Sequence, residues 1–210
     1  MPELLSVNHG TARHIEGYKP LTGIIKTPVQ SAVIDRMGLS GDAVCDRKHH
    51  GGVDQAVYVY FADDYQYWAD QLGRSIEPGW FGDNLTISGV EGRSVAIGDR
   101  FAMGPVELEV TYHRTPCMTF AALMGDPMWV KKFHRAGRPG AYCRVLTPGT
   151  VEPGMDVIYT PFAGERITVS ELMALDVVKQ IDPAFMRRAL TTPIREKTRF
   201  KFEDKLASLF

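Results

Sequence analysis

The stretch TYHRTPCMTF, residues 111 to 120, places Cys117 directly after a proline and three residues after Arg114. A thiolate is both a nucleophile and a soft metal ligand. A neighbouring guanidinium favours that ionised form, and Pro116 ends strand pairing so that the sulfur can be presented from a rigid turn. The same local pattern also fits a buried, inert thiol. A cysteine hydrolase needs a histidine base; His113 is four residues back, roughly 13 Å away in extended chain, while His50 or His134 could approach through the fold. The second chemically rich stretch is GLSGDAVCDRKHHGGVDQAV, residues 38 to 57, where Arg47, Lys48, His49 and His50 run into Gly51 and Gly52. Glycines let backbone amides face a ligand while cations neutralise it, which suits an anion such as phosphate. Cys45, His49 and His50 offer a zinc reading, but without the second spaced pair of a structural zinc site.

The elements that must position these residues are short. AVYVYF (56 to 61) is a compact β-branched and aromatic run, and VELEVTYH (106 to 113) alternates apolar with polar residues, the pattern of a half-buried strand. Further strand candidates are 21 to 27, 84 to 88, 94 to 97, 142 to 146 and 156 to 160, separated by Gly, Pro and Asp. Many short strands with such punctuation predict a barrel or folded-over sheet. A helix is predicted over 63 to 72, opening on acidic residues and closing before Gly73, and another over 118 to 135, interrupted at Pro127. Three helix starts follow near the C-terminus: Thr168 with Glu171, Asp182 with Pro183, and Thr192 with Pro193. The aromatics Tyr65, Tyr67, Trp68, Trp80 and Trp129 have core spacing, with a planar-base pocket as the other reading.

With 44% hydrophobic and 23% charged residues among 210, the chain reads as an ordinary globular protein. A net charge of −1 gives no footprint for general nucleic-acid binding. No apolar run reaches membrane-spanning length, and the N-terminus lacks a signal-peptide pattern, so no membrane is expected and the cytoplasm is the expected location. Three widely spaced cysteines fit reduced thiols there. The tail carries Arg187, Arg188, Arg195, Lys197, Arg199, Lys201 and Lys205 against Glu196, Glu203 and Asp204. It reads as a solvated helix surface or as a docking face for an acidic redox partner.

In order and spacing, GLSGD (38 to 42), KHHGG (48 to 52) leading into DQAVYVY, FGDNL (81 to 85), IGD (97 to 99) and RTPC (114 to 117) resemble the MOSC domain. The domain is named for the C-terminal domain of molybdenum cofactor sulfurase, and the resemblance is strongest to its bacterial stand-alone YiiM-type subgroup, linked to resistance to 6-N-hydroxylaminopurine. It covers residues 20 to 160 and implies a mostly β, β-barrel-like domain with a few helices over 1 to 162, then a three-helix segment over 163 to 210. It also implies a molybdenum cofactor, Mo-molybdopterin, with Cys117 as metal ligand and catalytic residue. Lys48, His50, Gly51, Gly52, Asn84 and Arg114 would hold the pterin and its phosphate, while Gly38, Gly41 and Asp42 shape the turn. Cys45 and Cys143 match no motif of the family, and Cys143 reads as a core strand residue.

The implied activity is reduction of N-hydroxylated bases or amidoximes, N–OH to N–H, through Mo(IV)/Mo(VI). Asp42, His113 and His50 are the candidate proton donors. Electrons would come from an external flavin-dependent reductase or electron carrier. The alternative is a non-catalytic cofactor carrier or a sulfur carrier using Cys117. Pyridoxal phosphate is not expected, since the domain that binds it in full-length sulfurases would not fit in this length. The sequence leaves room for an oligomer.

Overall fold

The computed structural model describes residues 1–46 and 50–209. The first half of the chain forms β1 (Glu3–Gly10), β2 (Arg13–Ile15), β3 (Tyr18–Thr22), β4 (Lys26–Val29), β5 (Ala32–Asp35), β6 (Gly38–Leu39), β7 (Val57–Phe61), α1 (Ala62–Leu72), β8 (Leu85–Ser88) and β9 (Arg100–Met103). The second half forms β10 (Val106–His113), α2 (Met118–Met124), α3 (Trp129–Ala136), β11 (Ala141–Thr147), β12 (Gly149–Val151), β13 (Ile158–Thr160), α4 (Val169–Ala174), α5 (Pro183–Leu190) and α6 (Glu196–Ala207).

Eight strands build one sheet in the order β13, β9, β10, β11, β7, β8, β1, β4. Its one parallel pair is β7 with β8, the pair that α1 connects as a crossover. The sheet curls until the Leu4 N–H reaches the Met155 carbonyl at 2.9 Å and the Val157 N–H reaches the Pro2 carbonyl at 2.9 Å. The architecture is sheet-dominated and barrel-like, without a closed ring of strands.

Strand β7 shows why two cores form. All five of its residues are buried. Its alternation sends Val57, Val59 and Phe61 into an aliphatic core with Leu4, Phe101, Leu108 and Val110, and sends Tyr58 and Tyr60 to the opposite face. There they join Tyr65, Trp68, Phe81, Phe120, Trp129 and Phe133. Tyr67 and Trp80 pack against this aromatic core, so the aromatics singled out by spacing are structural. Each fully buried large side chain contributes about 1.5–3 kcal/mol.

Helix α1 carries Asp63 and Asp64 in its first turn and ends on Gly73 at φ 63°. At Pro127 the chain breaks as expected, and Asp126 restarts it by accepting the Met128 N–H at 2.8 Å. Four sequence expectations change. Residues 21 to 27 do not form one strand, because β3 ends at Thr22 and β4 begins at Lys26; a Cβ on Gly23 would lie 1.8 Å from the Ala43 carbonyl oxygen, so the chain bends around a backbone crossing. Residues 94 to 97 hold the end of a 3₁₀ turn and a single bridge from Ala96 to Thr168. Strand β10 is not half-exposed: Glu109 pairs with Arg100 and Arg144, and His113 lies 3.5 Å from Asp176 of the C-terminal segment.

The fourth concerns the tail. Thr168 and Glu171 form the capping box, and Asp182 caps α5 ahead of Pro183. Thr192 is no cap; its hydroxyl donates to the Ala189 carbonyl at 2.7 Å. Helix α6 starts four residues later, at Glu196, and its Glu196 N–H is satisfied by Asp54 Oδ2 at 2.7 Å, a carboxylate from the far side of the glycine loop. Among the described residues, no helix is long and apolar enough to cross a membrane.

Candidate functional site: a thiol cavity

A cavity of about 710 Å³ opens between the glycine loop, the RTPC turn and the β2–β3 hairpin. Its wall includes Cys117, Arg114, His50, Gly51, Asn84, Lys26, Asp42, Tyr58 and Tyr142. Strand β10 ends at His113, and the next four residues turn so that Cys117, in extended conformation at φ −130°, caps α2. Pro116 and Arg114 are buried, which fixes the turn, while Cys117 is half-buried and reaches the cavity.

The electrostatics single out this sulfur. Burial pushes the Cys117 thiol up, but a hydrogen bond from His50, the Arg114 charge and the Phe120 N–H together bring it down to about 6. Arg114 is only 5% exposed, lies 4.0 Å over the Phe120 ring, and has an Nη1 with no hydrogen-bond partner among the described residues. A buried donor left unmatched costs about 1–3 kcal/mol, more when charged. An anionic ligand beside Cys117 would relieve that cost. The glycine loop adds backbone: Gly51 and Gly52 sit at φ 76° and 87°, where other residues are strained.

The remaining sequence candidates divide. Asn84 lines the cavity but is committed to the protein. Its Oδ1 accepts the Tyr58 N–H at 3.1 Å and its Nδ2 donates to Asp42 Oδ2 at 2.9 Å. Asp42 also accepts the Gly10 N–H at 2.7 Å and pairs with Lys26, so it knits the wall together. Gly52 faces a second cleft that ends on α6. His113 is fully buried against Asp176 and lies outside the cavity lining; His134 bonds the Met173 carbonyl at 2.9 Å. Lys48 and His49, the latter part of the zinc reading, lie outside the described residues. Cys45 is exposed and lines the cavity, whereas burial pushes the Cys143 thiol up.

Sequence reasoning missed Lys26, Tyr58 and Tyr142. Lys26 was findable as a lone cation inside the apolar run LTGIIKT; its side chain is 7% exposed, and burial lowers its ammonium against the raising pull of Asp42. The two tyrosines read only as strand residues, because one sequence does not reveal which face of β7 meets a cavity.

The curled mixed sheet thus holds the half-buried Cys117 thiol, lowered to about 6, beside a buried Arg114 whose Nη1 has no hydrogen-bond partner among the described residues. Residues 46–158 match the MOSC domain, and the chain belongs to the MOSC-domain family. It is 39% identical over 157 residues to the uncharacterised protein YflK of Bacillus subtilis, covering 73% of this chain and 71% of YflK. It is 30% identical over 123 residues to YiiM of Escherichia coli, covering 57% of this chain and 54% of YiiM. The solved structure of YiiM from Geobacillus stearothermophilus superposes with a TM-score of 0.80 at 25% identity, covering 98% of this chain and 100% of that one. The Escherichia coli YiiM structure has the same fold, with a TM-score of 0.77 at 21% identity over 100% of this chain and 94% of that one.

Proposed function

We propose that the protein binds a molybdenum cofactor and reduces N-hydroxylated bases or amidoximes. The observation that carries this reading is the pairing, in one cavity, of a Cys117 thiol at about 6 with the buried, unmatched Arg114. The first suits a soft metal and the second an anionic group, and molybdopterin combines the two. The family is associated with molybdenum cofactor in general, which supports the assignment.

In this reading the Cys117 thiolate holds the metal. Arg114, the Gly51 amide and Lys48 hold the anionic pterin portion; Gly52, which faces the second cleft, does not. When bound, the cofactor supplies the two-electron chemistry. The balance is R–NHOH + 2e⁻ + 2H⁺ → R–NH₂ + H₂O, with the electrons from an external flavin-dependent reductase or electron carrier. His50 is the cavity residue best placed to move a proton, since it already bonds the sulfur. Asp42 is saturated by three partners and His113 faces away, so neither fills that role. The half-buried Tyr142, which lines the cavity, offers aromatic surface to a planar base, with Tyr58 packed against it. A carrier of the cofactor or of sulfur on Cys117 is the second reading, favoured by the same accessible thiolate.

The test is expression in hosts with and without molybdopterin synthesis, followed by metal analysis and assay of hydroxylaminopurine reduction with an artificial donor. Protein from the competent host is expected to carry molybdenum and turn over. Metal-free protein from that host would overturn the proposal; metal without turnover would leave the carrier reading; full activity in Cys117→Ala would remove the ligand role.

A further inference from the structure

The β2–β3 hairpin stands apart from the rest of the fold. Among the described residues its strands pair only with each other and form a sheet of their own. Residues 11 to 21 are exposed or half-buried throughout, so the excursion adds little to either core. An isolated hairpin is at best marginally stable and needs outside support to hold one position. The support is at the two ends. At the base, a Cβ on Gly10 would lie 2.3 Å from the Gly23 carbonyl oxygen and one on Gly23 would strike Ala43, so three backbones are packed against one another. Along the far edge, the Tyr18 hydroxyl hydrogen-bonds Thr119 Oγ1 at 2.8 Å. Thr119 is two residues beyond Cys117, in the helix that the cysteine caps.

Between these supports, Pro20 and Leu21 line the cavity. Leu21 nevertheless remains 51% exposed. A large apolar side chain that faces a cavity uncovered is a surface a ligand can cover. The lining also includes the half-buried Tyr142, with Tyr58 packed against it at 5.1 Å between ring centroids, so a flat ring inserted above the sulfur would meet aromatic as well as aliphatic surface.

We infer that the Arg13–Thr22 hairpin is the specificity wall of the thiol cavity, with Leu21 selecting flat, apolar-faced substrates and the Tyr18–Thr119 latch limiting the size of what reaches Cys117. The substrate half rests on the proposed reductase activity; the access half does not.

The experiment therefore has two arms. In metal-free protein carrying Cys45→Ser, Cys117 is alkylated with small iodoacetamide and with a bulky pyrene maleimide. Tyr18→Phe should accelerate the maleimide about fivefold or more relative to iodoacetamide, as expected for a gate relieved of its bond. An unchanged ratio would overturn the latch. In loaded enzyme, Leu21→Ala should raise KM for hydroxylaminopurine about tenfold while changing the KM for hydroxylamine less than twofold, the scale of a lost pocket contact. Equal effects on both compounds would overturn the selective wall. Wild-type protein that loads metal yet reduces neither compound would reject the reductase reading and with it the substrate half, and the alkylation ratio would still decide the access half.

Discussion

Cys117 and Cys143 lie at the two ends of one stretch of sheet and helix, yet their surroundings drive them in opposite directions. Cys143 sits in β11 opposite Val57 and Val110, fully buried, where desolvation and then the negative Glu109 and Asp99 push its thiol up. Burial presses Cys117 the same way, but His50, Arg114 and the Phe120 N–H overcome it. Burial therefore does not decide which cysteine is reactive; the charges and donors around the sulfur do.

The largest expected effect separates the two by exchange for serine. On the proposed ligand role, Cys117→Ser should lower bound molybdenum and turnover by more than about a hundredfold, since loss of a ligand exceeds the usual cost of losing its supports. Measured below about pH 6, where the thiolate contributes nothing to folding, its melting temperature should stay near that of the wild type. Cys143→Ser should do the reverse, keeping the metal but losing about 1–3 kcal/mol in urea denaturation, because the hydroxyl would be buried in an apolar layer. A Cys143→Ser protein of normal stability without metal would break the comparison.

A smaller effect sharpens it through pH. In metal-free protein the alkylation rate of Cys117 should rise with pH and level off above about 6, and His50→Ala should move that midpoint up toward the ordinary thiol range. The stability consequences have opposite signs. The folded value for Cys117 lies below its ordinary 9.0, so its contribution is complete above the ordinary value and is lost as pH falls through about 6. The folded value for Cys143 lies above the ordinary one, so its contribution is present below the ordinary value and is lost as pH rises beyond it. Denaturation series of the two serine variants against the wild type would read both slopes.

The smallest effect lies away from both sulfurs. Asp54→Ala removes the remote cap of α6 and one of the two carboxylates paired with Arg144, and should cost about 1 kcal/mol, roughly 3 °C in melting temperature, without moving the Cys117 midpoint. A moved midpoint would mean that the tail sets the chemistry of the thiol.

Local chemistry was legible where it is local. The cap of α5 at Asp182, the break at Pro127 and the strand at 106 to 113 could all be read from neighbouring residues. The cap of α6 could not, because its carboxylate comes from a residue 142 positions away. The burial of Glu109 and His113 was hidden for the same reason: the partners that make a polar face buriable, Arg144 and Asp176, are remote. At the site, Cys117, Arg114 and His50 carried a chemical signature in their residue types. Asn84 carried one too, but its amide serves the wall rather than a ligand, a distinction only hydrogen-bond partners reveal. Lys26 passed unnoticed because a single cation in a short strand usually points to solvent.

The cavity wall is drawn from stretches as far apart as Tyr18 and Tyr142. During synthesis the hairpin and the glycine loop leave the ribosome long before the thiol turn and β11 exist to face them. Domains assemble only as their partners become available, so a nascent chain that has reached only the glycine loop has half a cavity and lacks Cys117. Any ligand that needs both walls is acquired after most of the chain has been made, and a ribosome stalled before residue 142 displays a chain that cannot retain it.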